Sequence, residues 1–465
     1  MKFKSDFLWG AATAAYQVEG AAHADGRGDS VWDVFCEKKG AVLDGSSGEN
    51  ACMQYEHVEE DVALMAQMGL KAYRFSLSWS RILPEGTGEV NQKGIDYYNH
   101  LIDCLKAHNI EPFVTLYHWD LPQALQEKGG WLNPDSVQWF GEYTKIVAEA
   151  FSDRVKYFIT FNEPQCFIGL GYYGTVHAPG LNCSPREAFV AAHHVLMAHG
   201  LAVKTLRKYG KQELLIGYAP TGRFTYPKTN SKEDIQAAKD MMFHEIAVTE
   251  WEWSMTWWSD PVFFGKYPED ALEQYKGIVP DFPEEDMKLI CQPLDFVGQN
   301  IYDGRMVEMG KDGKPVFSPE PLGFAHTHMK SPVTPEILYW MPQFLYERYG
   351  KPVVVTENGI SNGDLVSLDG KVHDGCRIAY LERYLQKLGE AAELVPVMGY
   401  FHWSFMDNFE WACGYQERFG LVYVDYPTQK RIMKDSGYWY ADVIRTNGEC
   451  IGNSDEYSDR CMIIC

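Results

Sequence analysis

Two glutamates stand in near-identical settings, Glu163 within Thr160-Phe161-Asn162-Glu163-Pro164 and Glu357 within Thr356-Glu357-Asn358-Gly359. Each closes a short apolar run of strand character. A matched pair of carboxyls can divide the work of proton donor and nucleophile. Cleavage of a glycosidic bond calls for that division, one carboxyl protonating the leaving oxygen while the other attacks or stabilises the sugar carbon. Either motif alone would be ordinary punctuation where a strand gives way to a loop. Both together, in the surroundings described next, point to chemistry.

The ends of the other strand-like runs carry Gln17, Arg74, His118 with Trp119, Asn162, Asn300 with Tyr302, and Trp403. His118 by itself would read as a satisfied core histidine, and Trp403 as a plug of the core. A hydroxyl-rich ligand, however, needs short amide, imidazole and carboxylate contacts gathered around a stacking ring, and this set supplies them. Further on, Asp407-Asn408 could simply turn a loop over Phe409 and Trp411. Read with the rest, Glu410 and the Trp411 indole N–H can take the far hydroxyls of a ring seated on Trp403, and Phe419 is a further substrate-binding candidate.

The two carboxyls should differ in environment, one held protonated near neutral pH and the other ionised. Arg74 is the expected partner of Glu357, because a nearby guanidinium favours the charged carboxylate. Tyr302 can donate to the same group. Glu163, between Phe161 and Pro164, has fewer cationic neighbours, and a negative nucleophile across the site would raise its pKa, so it is the expected acid/base. A carboxyl separation of about 5 to 5.5 Å would imply retention of anomeric configuration through a covalent glycosyl-enzyme.

Strand-like runs at 7–18, 72–79, 112–119, 155–162, 214–219, 294–302, 352–357 and 397–405 alternate with amphipathic stretches such as 55–68, 94–108, 136–151, 185–209, 335–349 and 377–392. Pro near a first turn and Gly after a last one punctuate several of these stretches. Such alternation predicts a parallel sheet, and eight units with continuous apolar strands such as Val353-Val354-Val355 predict one closed (β/α)₈ barrel. The barrel domain is expected over 1–446 and a short tail over 447–465. No Gly-x-Gly-x-x-Gly turn follows the first strand, and neither a phosphate loop nor a His-Glu-x-x-His pair occurs. No cofactor and no metal are therefore expected, the cysteines of the Cys461–Cys465 segment being read as part of a loose tail.

The balance of 42 basic against 64 acidic residues, formally −22, argues against nucleic acid and anionic lipid as partners. The aromatic share of 14% suits both a ring-rich core and sugar stacking. No charged leader with a long apolar segment opens the chain, no stretch is apolar enough to span a membrane, and the 11 cysteines are odd in number and scattered. These features predict a cytoplasmic protein acting on a small-molecule substrate, and an assembly of like chains is compatible with them.

The chain resembles glycoside hydrolase family 1, the β-glucosidase family, from residue 7 to about 446. The resemblance rests on the opening Phe7-Leu8-Trp9-Gly10 to Gly20 stretch, Tyr73-Arg74-Phe75-Ser76, Thr-Phe-Asn-Glu-Pro, Val-Thr-Glu-Asn-Gly and the segment from Trp403 to Trp411. It implies a retaining β-glucosidase, with β-galactoside or β-fucoside cleavage as side activities. Glu163 would be the acid/base, Glu357 the nucleophile, and Asn162 the ligand of the 2-hydroxyl. Gln17, His118, Trp119, Glu410 and Trp411 would hold the other hydroxyls, with Trp403 beneath the ring.

Two alternatives stand beside this reading. A 6-phospho-β-glycosidase is the first, although members of that kind typically carry Ser in place of the Glu-Trp of the last loop, and the negative charge of Glu410 would repel a phosphate. The second is a non-catalytic glycan-binding protein on the same barrel; such proteins usually lose a carboxylate, and both are present here. One departure from the family stands out. Many bacterial relatives carry a Trp where this chain has Ser331, which predicts an altered aglycone site, with Gln165, Leu170, Tyr173, His177 and Arg223 as candidate lining.

Overall fold

The computed structural model describes residues 3–452; Cys461 and Cys465 lie outside the described residues. Eight short strands form the central sheet: β1 (Leu8–Ala12), β2 (Ala72–Ser76), β3 (Glu111–Tyr117), β4 (Tyr157–Asn162), β5 (Leu215–Ala219), β6 (Val297–Asn300), β7 (Val353–Asn358) and β8 (Val397–Trp403). They are apolar because helices cover one face and the barrel interior fills the other; every residue of β7 is buried. Neighbours run β5-β4-β3-β2-β1-β8-β7-β6, and each pair is parallel. The ring is nearly closed between its ends, where the Asp295 N–H donates to the Ile216 carbonyl at 2.9 Å and the Asn300 N–H to the Pro220 carbonyl at 3.1 Å.

Aromatic rings plug the barrel beneath the site. Phe113 lies 4.9 Å from Phe401 and 5.5 Å from Phe296, centroid to centroid. Those rings leave no room opposite. A Cβ at Gly10 would come within 2.5 Å of Phe401, and one at Gly217 within 2.1 Å of Phe296, so close approach requires glycine at both places.

Around the sheet, helix Pro185–Tyr209 begins with a capping box in which Ser184 and Glu187 satisfy each other's backbone N–H. It packs on helix Ser136–Phe151. Both helices have the bounds read from the sequence. The first strand does not: it stops at Ala12, and Ala15–Val18 forms a helical turn pinned by Ala15 N–H donating to Ser76 Oγ at 2.8 Å. Gln17 therefore reaches the site from a turn. Short helices such as Lys232–Asp240 and Met255–Phe264 fill the connection from β5 to β6. Residues 447–451, read from the sequence as the start of a tail, pack on the N-terminal segment. Trp9 donates its indole N–H to Asn447 Oδ1 at 2.9 Å, Asn447 donates to the Phe3 carbonyl at 2.7 Å, and Ile451 is buried. No helix of the described residues is long and apolar enough to cross a membrane.

Candidate active site

All of the chemistry-bearing side chains converge at the C-terminal ends of the strands, where barrel enzymes place their sites. Arg74, the third residue of β2, is buried and shared among four acceptors. It donates to Glu357 Oε1 at 2.6 Å, to the Thr356 carbonyl at 3.0 Å, to Asn162 Oδ1 at 2.6 Å and to Thr115 Oγ1 at 3.1 Å. The second oxygen of Glu357 accepts from the Tyr302 hydroxyl at 2.7 Å. Glu163 has only neutral donors, the Asn300 amide at 2.8 Å and the Cys166 thiol at 3.1 Å. The Arg74–Glu357 pairing and the Tyr302 contact are those expected from the sequence.

These surroundings separate the two carboxyls. Burial, reinforced by the charge of Glu357, pushes Glu163 up to about 7. Burial raises Glu357 as well, but Arg74 and Tyr302 oppose that rise. With a cation and a phenol on one carboxyl and an amide and a thiol on the other, the shared proton belongs on Glu163. Replacing Cys166 tests one part of this. The thiol favours the ionised carboxylate, so Cys166→Ala is expected to move the alkaline limb of the kcat/KM profile to higher pH; an unmoved limb would show that the thiol plays no part.

Backbone strain accompanies the site. Glu163 (φ 41°), Trp119 (φ 78°) and Trp411 (φ 50°) all occupy the left-handed region, which costs a side-chain-bearing residue on the order of 1–3 kcal/mol and persists only where the surroundings impose it. Close packing also explains the glycine after Glu357-Asn358. A Cβ at Gly359 would lie 1.9 Å from the Trp403 carbonyl oxygen.

Glu163, Glu357, His118, Trp119, Tyr302, Trp403, Glu410, Trp411 and Phe419 border one cavity of about 380 Å³. Burial keeps His118 neutral; its Nε2 pairs with the Asn162 amide at 2.9 Å, while its Nδ1 has no partner among the described residues. Gln17 donates to Asn408 Oδ1 at 3.0 Å and to the Phe409 carbonyl at 2.8 Å, and its Oε1 likewise meets no partner among the described residues. Such buried unpaired atoms are costly unless a ligand meets them. Two residues are committed differently from the sequence reading. The Trp119 indole N–H is spent on the Asn162 carbonyl at 3.0 Å, so this side chain offers a ring face and no free donor. Asn300 bridges Glu163, Asn162 and Thr356, which makes it a holder of the Glu163 carboxyl.

Burial, then the charge of Glu357, pushes Glu410 up to about 8. Burial thus favours the neutral form of this carboxyl. Among the described residues the cavity lining includes no Lys or Arg to meet a phosphate. The loop carrying Glu410 is latched from behind. Lys434 joins Asp407 at 2.6 Å to Asp364 at 2.5 Å, Arg418 reaches Asp407 at 2.7 Å, and Arg377 binds Asp364 at 2.8 Å and also Asp374.

None of Gln165, Leu170, Tyr173, His177 and Arg223 borders the cavity. Its outer part is formed instead by Cys166, Phe224, Trp253, Asp303, Met329 and Ser331. Gln165 exchanges hydrogen bonds with the Thr221 backbone, and His177 packs on Trp32 and Trp119. Of the unforeseen residues only Cys166 carried a readable signal, lying three positions after Glu163 on the helical turn that Pro164 starts.

A carboxyl pair set among hydroxyl-binding groups at the mouth of a (β/α)₈ barrel defines a glycoside-cleaving hydrolase. The family model described as glycosyl hydrolase family 1 matches residues 1–449, and the chain belongs to that family. Beta-glucosidase A of Thermotoga maritima is 46% identical over 450 residues, 96% of this chain and 98% of that protein. Beta-glucosidase A of Acetivibrio thermocellus is 43% identical over 453 residues, 96% and 99% respectively. The solved structure of the β-glucosidase from Thermotoga maritima in complex with glucoimidazole superposes with a TM-score of 0.87 at 45% identity, covering 96% of this chain and 99% of that one.

Proposed function

We propose that the protein is a retaining β-glucosidase that removes terminal β-D-glucosyl residues, with β-galactosides, β-fucosides and cellobiose among its substrates. The observation that carries this reading is the unequal treatment of the two carboxyls. Glu357, gripped by Arg74 and Tyr302, attacks the anomeric carbon; Glu163, held up to about 7, protonates the leaving oxygen and then takes a proton from water. Asn162 takes the 2-hydroxyl, Gln17, His118, Glu410 and Trp411 take the other hydroxyls, and Trp403 lies beneath the ring. The absence of a basic side chain from the described lining favours an unphosphorylated sugar over the 6-phospho alternative. The odd, scattered cysteines support a cytoplasmic setting.

The test is hydrolysis of 4-nitrophenyl β-glucoside followed by NMR, beside its 6-phosphate. The β-anomer of glucose should appear first and the phosphorylated substrate should remain; first appearance of the α-anomer would overturn retention. Activity should fall as pH rises through about 7, where Glu163 loses its proton. Ser331 stands on the cavity wall. Ser331→Trp should lower kcat/KM for bulky aryl glucosides relative to cellobiose by about tenfold or more, as expected when a pocket loses room for a substrate group. An unchanged ranking would show that this wall does not select.

A further inference from the structure

The cavity border includes four carboxyl side chains. Three of them, Glu163, Glu357 and Glu410, belong to the sugar-binding end, and the fourth, Asp303, has no role in the chemistry described. Asp303 follows Tyr302, which holds Glu357, and it borders the cavity in company with Ser331 and Trp253. It is partly buried and accepts a hydrogen bond from the Ser331 hydroxyl. The other charges acting on it are Arg223, Arg305 and Glu320. Both arginines are engaged elsewhere: Arg223 is paired with Glu250 at 2.6 Å and lies over Trp253, and Arg305 lies over Phe317. Neither borders the cavity, so among the described residues Asp303 is the charged side chain that a leaving group meets beside Ser331 and Trp253.

We propose that Asp303 is a specificity-determining residue for the leaving group, favouring aglycones that bring a cationic or hydroxyl donor to this wall and disfavouring anionic ones. This rests on the glucosidase reading of the site. Ser331, beside it on the cavity border, favours the ionised carboxylate. Trp253 adds an aromatic surface on which the leaving group can pack. A neutral hydroxylated aglycone gains only hydrogen bonds. A carboxylated one places like charges together in a partly desolvated space, where their repulsion is less screened than in water.

The experiment compares kcat/KM for three phenyl β-glucosides with aminomethyl, hydroxymethyl or carboxylate groups at the para position, in the wild type and in Asp303→Asn. Intrinsic leaving-group differences cancel when the same ratio is compared between the two proteins. The aminomethyl-to-carboxylate ratio should fall by about tenfold in Asp303→Asn, the scale expected for losing one partly screened charge. An unchanged ratio overturns the assignment. Should Asp303→Asn fail to fold, the same ratio measured on the wild type should shrink between low and high salt, and a salt-independent ratio overturns the assignment equally. A protein that cleaves none of the three glucosides would defeat the glucosidase reading itself, whereas cleavage of all three with an indifferent ratio defeats only the role of Asp303.

Discussion

Glu357→Gln is expected to lower kcat on 4-nitrophenyl β-glucoside by about 10⁴-fold or more, because a positioned nucleophile carries an effective molarity on the order of 10⁵–10⁸ M. The amide oxygen can still accept from Arg74 while the amide NH2 donates to the Tyr302 hydroxyl oxygen, so the fold and much of the sugar binding should survive while the electron pair that attacks the anomeric carbon is lost. A second effect has a defined sign. The charge of Glu357 helps to raise Glu163, and its removal should let the Glu163 pKa fall, which titration of Glu163 by infrared difference spectroscopy would show. Residual activity within about a hundredfold of the wild type would place the nucleophile elsewhere.

Arg74→Met should be nearly as damaging, and for a different reason. The substitution keeps apolar bulk but strips Glu357, Asn162, Thr115 and the Thr356 carbonyl of one shared donor. Breaking a buried ion pair by removing one partner costs about 3–5 kcal/mol, since the remaining charge stays buried. Chemical denaturation should show a loss of that size. In the pH profile of whatever activity remains, the acid limb should move to higher pH. The guanidinium favours ionised Glu357, so without it the carboxylate forms only at lower proton concentration. An unmoved acid limb would separate Arg74 from the ionisation of the nucleophile.

Much of this site was legible in the sequence because strand ends are. Short apolar runs marked all eight barrel strands, and residues that end parallel strands of a barrel must share one rim. The pairing of Arg74 with Glu357 followed from that placement and from charge. The commitments of Trp119 and Asn300 did not follow. Whether an indole N–H or an amide faces a ligand or a neighbouring carbonyl depends on side-chain orientation, and no residue spacing encodes it. The outer cavity was hidden for another reason. Trp253 comes from the long connection between β5 and β6, where helix Met255–Phe264 buries Trp257 and Trp258 and contains Pro261, so no amphipathic period marks it. Asp303 and Ser331 meet through the folding of two loops distant in sequence, which periodicity cannot foresee.

The chain of alternating acids and bases behind the loop after β8 limits how that loop can change. Asp407 and Arg418 sit on the loop and its continuation, Asp364 and Asp374 follow β7, Arg377 opens the next helix, and Lys434 stands just before helix Asp435–Arg445. Three anions and three cations are neutral only as a set, so exchanging any one member strands a charge in the interior. A loop graft meant to import another enzyme's sugar preference would have to carry its anchoring residues from three separate stretches of chain. The loop that carries Glu410 is thus one block with its anchors rather than a detachable part.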